Sequence, residues 1–368
     1  MEAALVYDQK LKNYGFGKGH PLTTERFTLF FNFFQKKVVP FIKDVKIFSP
    51  LAVDDETLKL AHQPEYIQKI KLASQGVILN DIYRYVSTDN LNPLTGYIPQ
   101  GIDEASRIIV GASLLAGKLA AEKKAKKAIS IGGGMHHAKL NYGEGFCFYN
   151  DVAILVKYLK KEYNLKRILL IDTDAHAGNG TSEFFYEDPQ VLFIDIHQDP
   201  YTLYPGSGFI YEIGNDKGEG FNINLVLSPK ASNKSYEYLF DEVIFPIANE
   251  FKPEFIVRYG GSDPHYLDYL AQLGLTLEGF YMIGKKINEL ASIFTEGRSV
   301  DLILSGYNLE VLPFAWSNLI AGLLDLKIDL SDFKEKNCPS PDSGLKETKN
   351  MVNEIKRYLR KFWRCMNK

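Results

Sequence analysis

Short runs of consecutive apolar residues, separated by longer stretches with helical spacing, constrain this chain more than any other feature. The runs fall at 3–6, 128–131, 167–171, 191–196, 221–226, 255–259 and 302–304, and most are apolar at successive rather than alternate positions. A strand solvated on one face alternates; a run without alternation belongs to a strand covered on both faces. Between the runs, residues 102–122, 150–162, 232–250, 278–290 and 311–324 read as helices. The alternation predicts an α/β fold, a mostly parallel sheet sandwiched by helices. Residues 20–75 look helical (ERFTLFFNFFQK, PEYIQKIKLAS), and 76–100, with Pro93, Gly96 and Pro99, read as an irregular loop near one edge. Beyond residue 330, KEKNCPSPDSG is polar and turn-rich, and a basic helix follows with Val352, Ile355, Leu359 and Phe362 on one face. The expected organisation is a catalytic-size α/β unit over 1–330, with the turn-rich segment and amphipathic helix of 331–368 docked on it; a partner-binding tail is the alternative.

Composition narrows the function classes. A net charge of −2 offers no general attraction for nucleic acid or an anionic membrane. No stretch reaches the roughly 18 consecutive apolar residues of a membrane helix. Cys147, Cys338 and Cys365 are too few and too scattered for a disulfide framework or a thiolate metal site, which fits a reducing interior. MEAALVYDQK lacks the basic start and apolar run of a secretory signal, so the expected location is cytoplasmic.

The most informative segment is RILLIDTDAHAGNGT, residues 167–181, where an apolar strand runs into Asp172, Asp174 and His176. Alternate residues of a strand share a face, so the three side chains can converge at its carboxyl end, where ligands bind in open α/β sheets. Two carboxylates buried together are costly unless something positive lies between them. A divalent cation meets that need, and imidazole with carboxylate oxygen suits Zn²⁺ or Fe²⁺. Either aspartate alone reads better as a helix cap or turn former before Gly178-Asn179-Gly180; with His176 in phase, the metal becomes the better reading. FIVRYGGSDPHYLDY places Asp263 just beyond a second strand, which completes a three-ligand set of Asp174, His176 and Asp263, with His265 as the rival at that loop. In AISIGGGMHHAKLNYGEGFCFYND a strand ends in three glycines before His136 and His137. A paired imidazole site beside a metal can hold one neutral base and one charged acid.

GGGMHHA, GFCFYND, DTDAHAGNGT, GSDP and SGYN, in this order and at these separations, resemble the histone deacetylase family, within a superfamily that also contains arginases and acetoin-utilisation proteins. The resemblance spans roughly residues 5–325 and takes in YGFGKGHPLTTERF and HQPEYI. It implies a single-domain α/β fold with a central eight-stranded parallel sheet and a narrow channel leading to one metal. It implies Asp174, His176 and Asp263 as metal ligands, His136 and His137 as the active-site pair, Asp172 behind the first and Asn179 behind the second. Tyr307 matches the tyrosine that hydrogen-bonds the substrate carbonyl. Gly145 and Phe146 match the channel wall and Tyr204 the facing aromatic. Leu270 stands at the entrance, where polyamine-specific relatives carry a glutamate. The implied reaction is hydrolysis of the acetyl amide of acetyl-lysine in a protein or peptide, or of a similar acylated amine.

Several positions depart from the family pattern. Asn179 gives His137 an amide partner, Ala177 replaces a histidine, and LILSGYN replaces a longer glycine run before Tyr307. Asp195 replaces a small polar residue at a structural K⁺ site formed with Asp172, Asp174 and His176, where the extra carboxylate either strengthens cation binding or replaces it with a salt bridge. Arg258 is an unusual charge within a strand, expected to pair with a carboxylate. Asp89 is the nearest counterpart of the acidic channel-rim residue. The competing readings are a non-catalytic binding module on the same fold and a two-Mn²⁺ ureohydrolase, the latter short of ligands because Gly178 stands where another aspartate is needed. The sequence leaves oligomeric state open.

Overall fold

The computed structural model describes residues 1–328, 333–336, 338 and 342–367. Its eight strands are β1 (Ala3–Val6), β2 (Val45–Phe48), β3 (Lys127–Ile131), β4 (Ile168–Asp172), β5 (Val191–Gln198), β6 (Asn222–Leu227), β7 (Phe255–Gly260) and β8 (Ser299–Ile303). They form one parallel sheet in the order β2-β1-β3-β8-β7-β4-β5-β6. The helices are α1 (Glu25–Lys37), α2 (Asp55–Leu58), α3 (Pro64–Ser74), α4 (Ile102–Ala121), α5 (Asp151–Tyr163), α6 (Asn179–Phe185), α7 (Asn233–Leu239), α8 (Phe245–Phe251), α9 (Leu277–Phe294), α10 (Leu312–Leu323) and α11 (Leu345–Leu359). β1, β3, β4, β5, β7 and β8 are buried along their whole length, as strands without alternation require.

Three details differ from the sequence pattern, each for a physical reason. β2 lies in a segment read as helical; it is a half-exposed edge strand whose Lys46 and Ile47 face solvent, so it carries no continuous apolar run. β8 begins at Ser299, ahead of the apolar run, because its polar Ser299 and Asp301 are buried and hydrogen-bonded inside the molecule. The single helix read over 232–250 is broken by a wide π turn, Phe240–Ile244, just before Pro246. Proline has no N–H for the ladder and crowds the preceding turn, which the wider turn relieves.

The boundary proposed at residue 330 and part of the turn-rich stretch, residues 337 and 339–341, lie outside the described residues. Beyond them, α11 packs on β6 and α7, with Val352, Ile355 and Leu359 buried. Asp342 accepts hydrogen bonds from the Ser232 and Ser235 amides at the start of α7, and the Trp363 indole donates to the Gly220 carbonyl. Among the described residues, no helix is long and apolar enough to cross a membrane.

The chain reaches β4 from β3 by α5 and leaves a gap of two strands, later filled by β7 and β8. The carboxyl ends of β3, β8, β7 and β4 therefore stand side by side in the middle of the sheet, around the point where the direction of strand addition reverses. Open α/β sheets bind their ligands at such a point.

Candidate active site

Each of the four central strands delivers side chains to one place. β4 runs into Asp172, Asp174 and His176, and β7 into Asp263. β3 ends in glycines and then His136 and His137, and β8 leads to Ser305 and Tyr307. The Asp174, His176 and Asp263 ligand atoms all lie within 4.8 Å of one another, and all three residues are buried. His176 Nδ1 is 3.0 Å from Asp174 Oδ1 and 3.0 Å from Asp263 Oδ2. The other Asp263 oxygen accepts the Ser305 hydroxyl at 2.7 Å. Close backbone approach makes this possible: a Cβ on Gly261 would sit 2.0 Å from the Ser305 carbonyl, and one on Gly260 2.7 Å from the Asp174 nitrogen.

The electrostatics of this cluster call for positive charge. Burial and the neighbouring Asp174 carboxylate push Asp263 well above the usual carboxylate range. Burial also opposes charge on Asp174, but His136 and His176 outweigh it and hold that carboxyl well below its usual range. Burial disfavours a charged His176, yet its contacts with Asp174 and Asp263 raise it to about 10. Two buried carboxylates thus converge on one imidazole nitrogen, and a divalent cation held by two oxygens and one nitrogen fits the same need. His265, the rival ligand, is fully buried elsewhere: its Nε2 meets Glu335 at 2.9 Å and its Nδ1 accepts the Leu267 amide.

His136 and His137 stand beside the cluster with ring centroids 4.0 Å apart. His136 Nδ1 meets Asp172 Oδ2 at 2.7 Å, and the remaining Asp172 oxygen accepts the Asp174 amide. Burial works against a charged His136, but Asp172 and Asp174 raise it to about 9. His137 Nδ1 meets the Asn179 amide oxygen at 2.7 Å. Burial, then the positive charges on His136 and His176, push His137 well below its ordinary value. These opposite shifts favour a doubly protonated His136 beside a neutral His137 with one unprotonated nitrogen, the division that acid–base work needs.

The Tyr307 ring lies 6.3 Å from the His176 ring and 6.0 Å from Phe146, with the Arg26 guanidinium 5.6 Å over it. Its segment is pinned without a glycine run. The Tyr307 amide donates to Asp268, the Ser305 carbonyl accepts the Ser262 amide and the Trp316 indole, and Gly306 takes φ +122° against Ser262.

Above the site, a cavity of about 240 Å³ is lined by Asp89, Gly145, Phe146, Leu203, Tyr204, Leu270 and Tyr307, among others. Gly145 and Phe146 take positive φ in succession, +57° and +65°, which turns the aromatic ring into the mouth. Asn90 accepts the Phe146 amide, and the Tyr204 ring meets His137 edge-on at 5.1 Å. Asp89 belongs to the same wall, but one of its oxygens is held by the Ser87 hydroxyl and the other accepts the Gly145 amide at 2.9 Å. At the floor, a space of only about 20 Å³ is bounded by Leu22, Met135, Cys147 and Leu304 together with the site residues.

Asp195 meets His197 Nδ1 at 2.9 Å and accepts the Gly178 amide at 2.8 Å, and both oxygens of Asp172 are engaged. Burial opposes charge on His197, but Asp195 raises its pKa. Ala177 leaves the flank beyond Asn179 open as a cavity of about 410 Å³ that also reaches Asp195 and Glu212.

Sequence reasoning overlooked Ser305 and Glu144, although both lie inside the motifs that it singled out. Glu144 Oε1 accepts the Asn179 side-chain N–H at 2.7 Å. A charged residue between two glycines of a channel wall was the available signal.

The model of the histone deacetylase domain matches residues 20–323. The acetoin utilization protein AcuC of Staphylococcus aureus (strain MRSA252) is 36% identical over 329 residues, 89% of this chain and 83% of that protein. A probable deacetylase of Archaeoglobus fulgidus is 31% identical over 376 residues, 99% of each chain. In fold, the crystal structure of the HDA15 HD domain superposes with a TM-score of 0.83 at 22% identity, covering 100% of this chain and 97% of that one. With the matched domain spanning most of its length and its motif residues gathered at one end of a parallel sheet, the chain belongs to the histone deacetylase family.

Proposed function

We propose that this protein is a metal-dependent deacetylase that hydrolyses the acetyl amide of acetyl-lysine, in a protein or peptide, or of a similar acylated amine. The observation that carries the reading is the buried meeting of Asp174, His176 and Asp263 beside a histidine pair whose two rings favour opposite charge states. Among the described residues one such three-ligand cluster is found, which supports one ion, Zn²⁺ or Fe²⁺, rather than the pair a ureohydrolase needs.

When bound, the ion polarises the acyl carbonyl and lowers the pKa of water. His137 takes the proton of the attacking water at Nε2 and returns it to the departing amine. His136, held charged by Asp172, stabilises the developing negative charge. The Tyr307 hydroxyl donates to the oxyanion, an interaction whose loss typically costs about 2.7–4 kcal/mol, or roughly 10²–10³ in rate. Phe146 and Tyr204 flank the methylene chain. The floor space, close to that of one water molecule, favours acetyl over longer acyl groups.

The test is metal analysis of the purified protein with a turnover panel of acetyl-lysine peptides, acetylpolyamines and longer acyl-lysines, run beside Tyr307→Phe. One equivalent of metal, acetate release from the short acyl substrates and a loss of about 10²-fold or more in the variant are expected. A protein without metal or turnover would instead be a binding module on this fold.

A further inference from the structure

The second active-site histidine is backed by a side chain that is not symmetric. A carboxylate presents oxygen whichever way it turns, whereas the Asn179 amide presents oxygen on one side and NH₂ on the other. The two orientations impose opposite tautomers on a neutral ring. With the oxygen toward His137 Nδ1, that nitrogen carries the proton and Nε2 is open; with NH₂ toward it, Nε2 carries the proton and cannot accept another. Something must therefore choose the orientation.

Glu144 stands where that choice is made. Its Oε1 lies 2.7 Å from Asn179 Nδ2, while Asn179 Oδ1 lies 2.7 Å from His137 Nδ1. An ionised carboxylate only accepts hydrogen bonds, so the amide must turn its NH₂ outward to Glu144 and its oxygen inward to the ring. Reversal would set the amide oxygen against the carboxylate. Glu144 is itself held: Lys139 Nζ lies 3.4 Å from the same oxygen and 2.9 Å from Glu183. The ring packs closely on Gly145, where a Cβ would lie 2.2 Å from its Cδ2, and the His137 main chain packs on Gly180, where a Cβ would lie 2.6 Å from its carbonyl carbon.

We propose that Glu144 is a positioning residue for the deacetylation chemistry: it orients the Asn179 amide, and through it fixes His137 with a protonated Nδ1 and an open Nε2. The inference rests on the role proposed for His137 above. It makes Glu144 a functional partner of Asn179, with the negative charge one residue farther from the base than a carboxylate directly behind the ring would place it.

The test uses the metal-loaded full chain with an acetyl-lysine peptide, and ¹⁵N-histidine spectra that report each ring's tautomer, the His137 signal being assigned with His137→Asn. Glu144→Ala is expected to lower kcat by about 10- to 100-fold, at or below the lower end of the roughly 10²–10⁴ that a positioned acid–base group supplies because the base itself remains, with KM changed less than about twofold. The melting temperature and metal content are expected to stay at wild-type values, and the His137 spectrum to change from the Nδ1–H form to a mixture. Glu144→Gln, which retains an accepting oxygen, is expected to recover part of the loss. In an Asn179→Asp background, where no orientation needs choosing, the further change Glu144→Ala is expected to alter kcat by less than about twofold. An Nδ1–H spectrum and kcat unchanged in Glu144→Ala would overturn the inference, as would an equal loss in the Asn179→Asp background. A wild type that releases no acetate would overturn the proposed function instead, and the tautomer spectra would still decide the role of Glu144.

Discussion

The rings of His136 and His137 lie so close that a proton on one opposes a proton on the other, and the groups behind them decide which is charged. Asp172 can balance an imidazolium; the Asn179 amide can only accept a hydrogen bond. Asp172→Asn withdraws the balancing charge from His136 and leaves the fold's apolar contacts alone. Deacetylation kcat is expected to fall by about tenfold or more, read in the same peptide assay. Asp263→Asn, at a proposed ligand, is expected to weaken metal binding by at least the roughly 10- to 100-fold that loss of a group merely supporting a ligand costs, measured by competition with a chelating dye. The Asp174, His176 and Asp263 cluster was legible in the sequence as polar residues massed just after apolar runs, although Asp174 and His176 lie beyond the end of β4, so the turn and not strand periodicity brings them together. The wall of the channel was less legible. Asp89 contacts Gly145 and Asn90 contacts Phe146 across 56 positions of sequence, a pairing that no local spacing encodes.

Among the elements, β7 and β8 are joined by a buried ion pair. Arg258 Nε donates to Asp301 Oδ1 at 2.9 Å, as the expectation of a paired charge required, and its Nη1 donates to the Thr173 hydroxyl between Asp172 and Asp174. Breaking such a buried pair leaves an uncompensated charge, so Arg258→Met is expected to cost about 3–5 kcal/mol in chemical denaturation, and Arg258→Met with Asp301→Leu to recover most of it. Lys127 on β3 is also buried, and its ammonium has no hydrogen-bond partner among the described residues. Burial lowers its pKa from 10.5 to about 8, with Asp301 opposing the shift. The unfolded chain then binds this proton more tightly, so the cost is fully present below pH 8 and disappears as pH rises towards 10.5. Lys127→Met is expected to raise stability at pH 7 by about 2 kcal/mol and to show little gain near pH 10.5, checked by urea unfolding at both pH values. These polar strand residues also explain which strands the sequence concealed. Apolar runs reveal strands buried in hydrocarbon, but not an edge strand such as β2, nor the start of β8, where Asp301 is satisfied by a side chain 43 positions away.

At the scale of the whole molecule, the C-terminal segment closes over β6 and α7. Trp363 is buried and donates to Gly220, while Glu250 accepts the Arg364 and Cys365 amides. Trp363→Ala is expected to cost about 3–5 kcal/mol of stability while the folded fraction keeps its specific activity, because the contacts lie away from the site strands. The parallel core and its helices could be read from the alternation of patterns, whereas the order of the strands could not, since hydrophobicity records burial and not neighbours. That order has a consequence for how the protein is made. β3 and β4 are translated long before β7 and β8, yet come to rest with those later strands wedged between them. A ribosome that has finished Asp174 and His176 still has 87 positions to travel before Asp263 exists to meet them. The Asp174, His176 and Asp263 cluster therefore cannot assemble until the chain has been made as far as Asp263, and a chain terminated before it holds only two of the three residues.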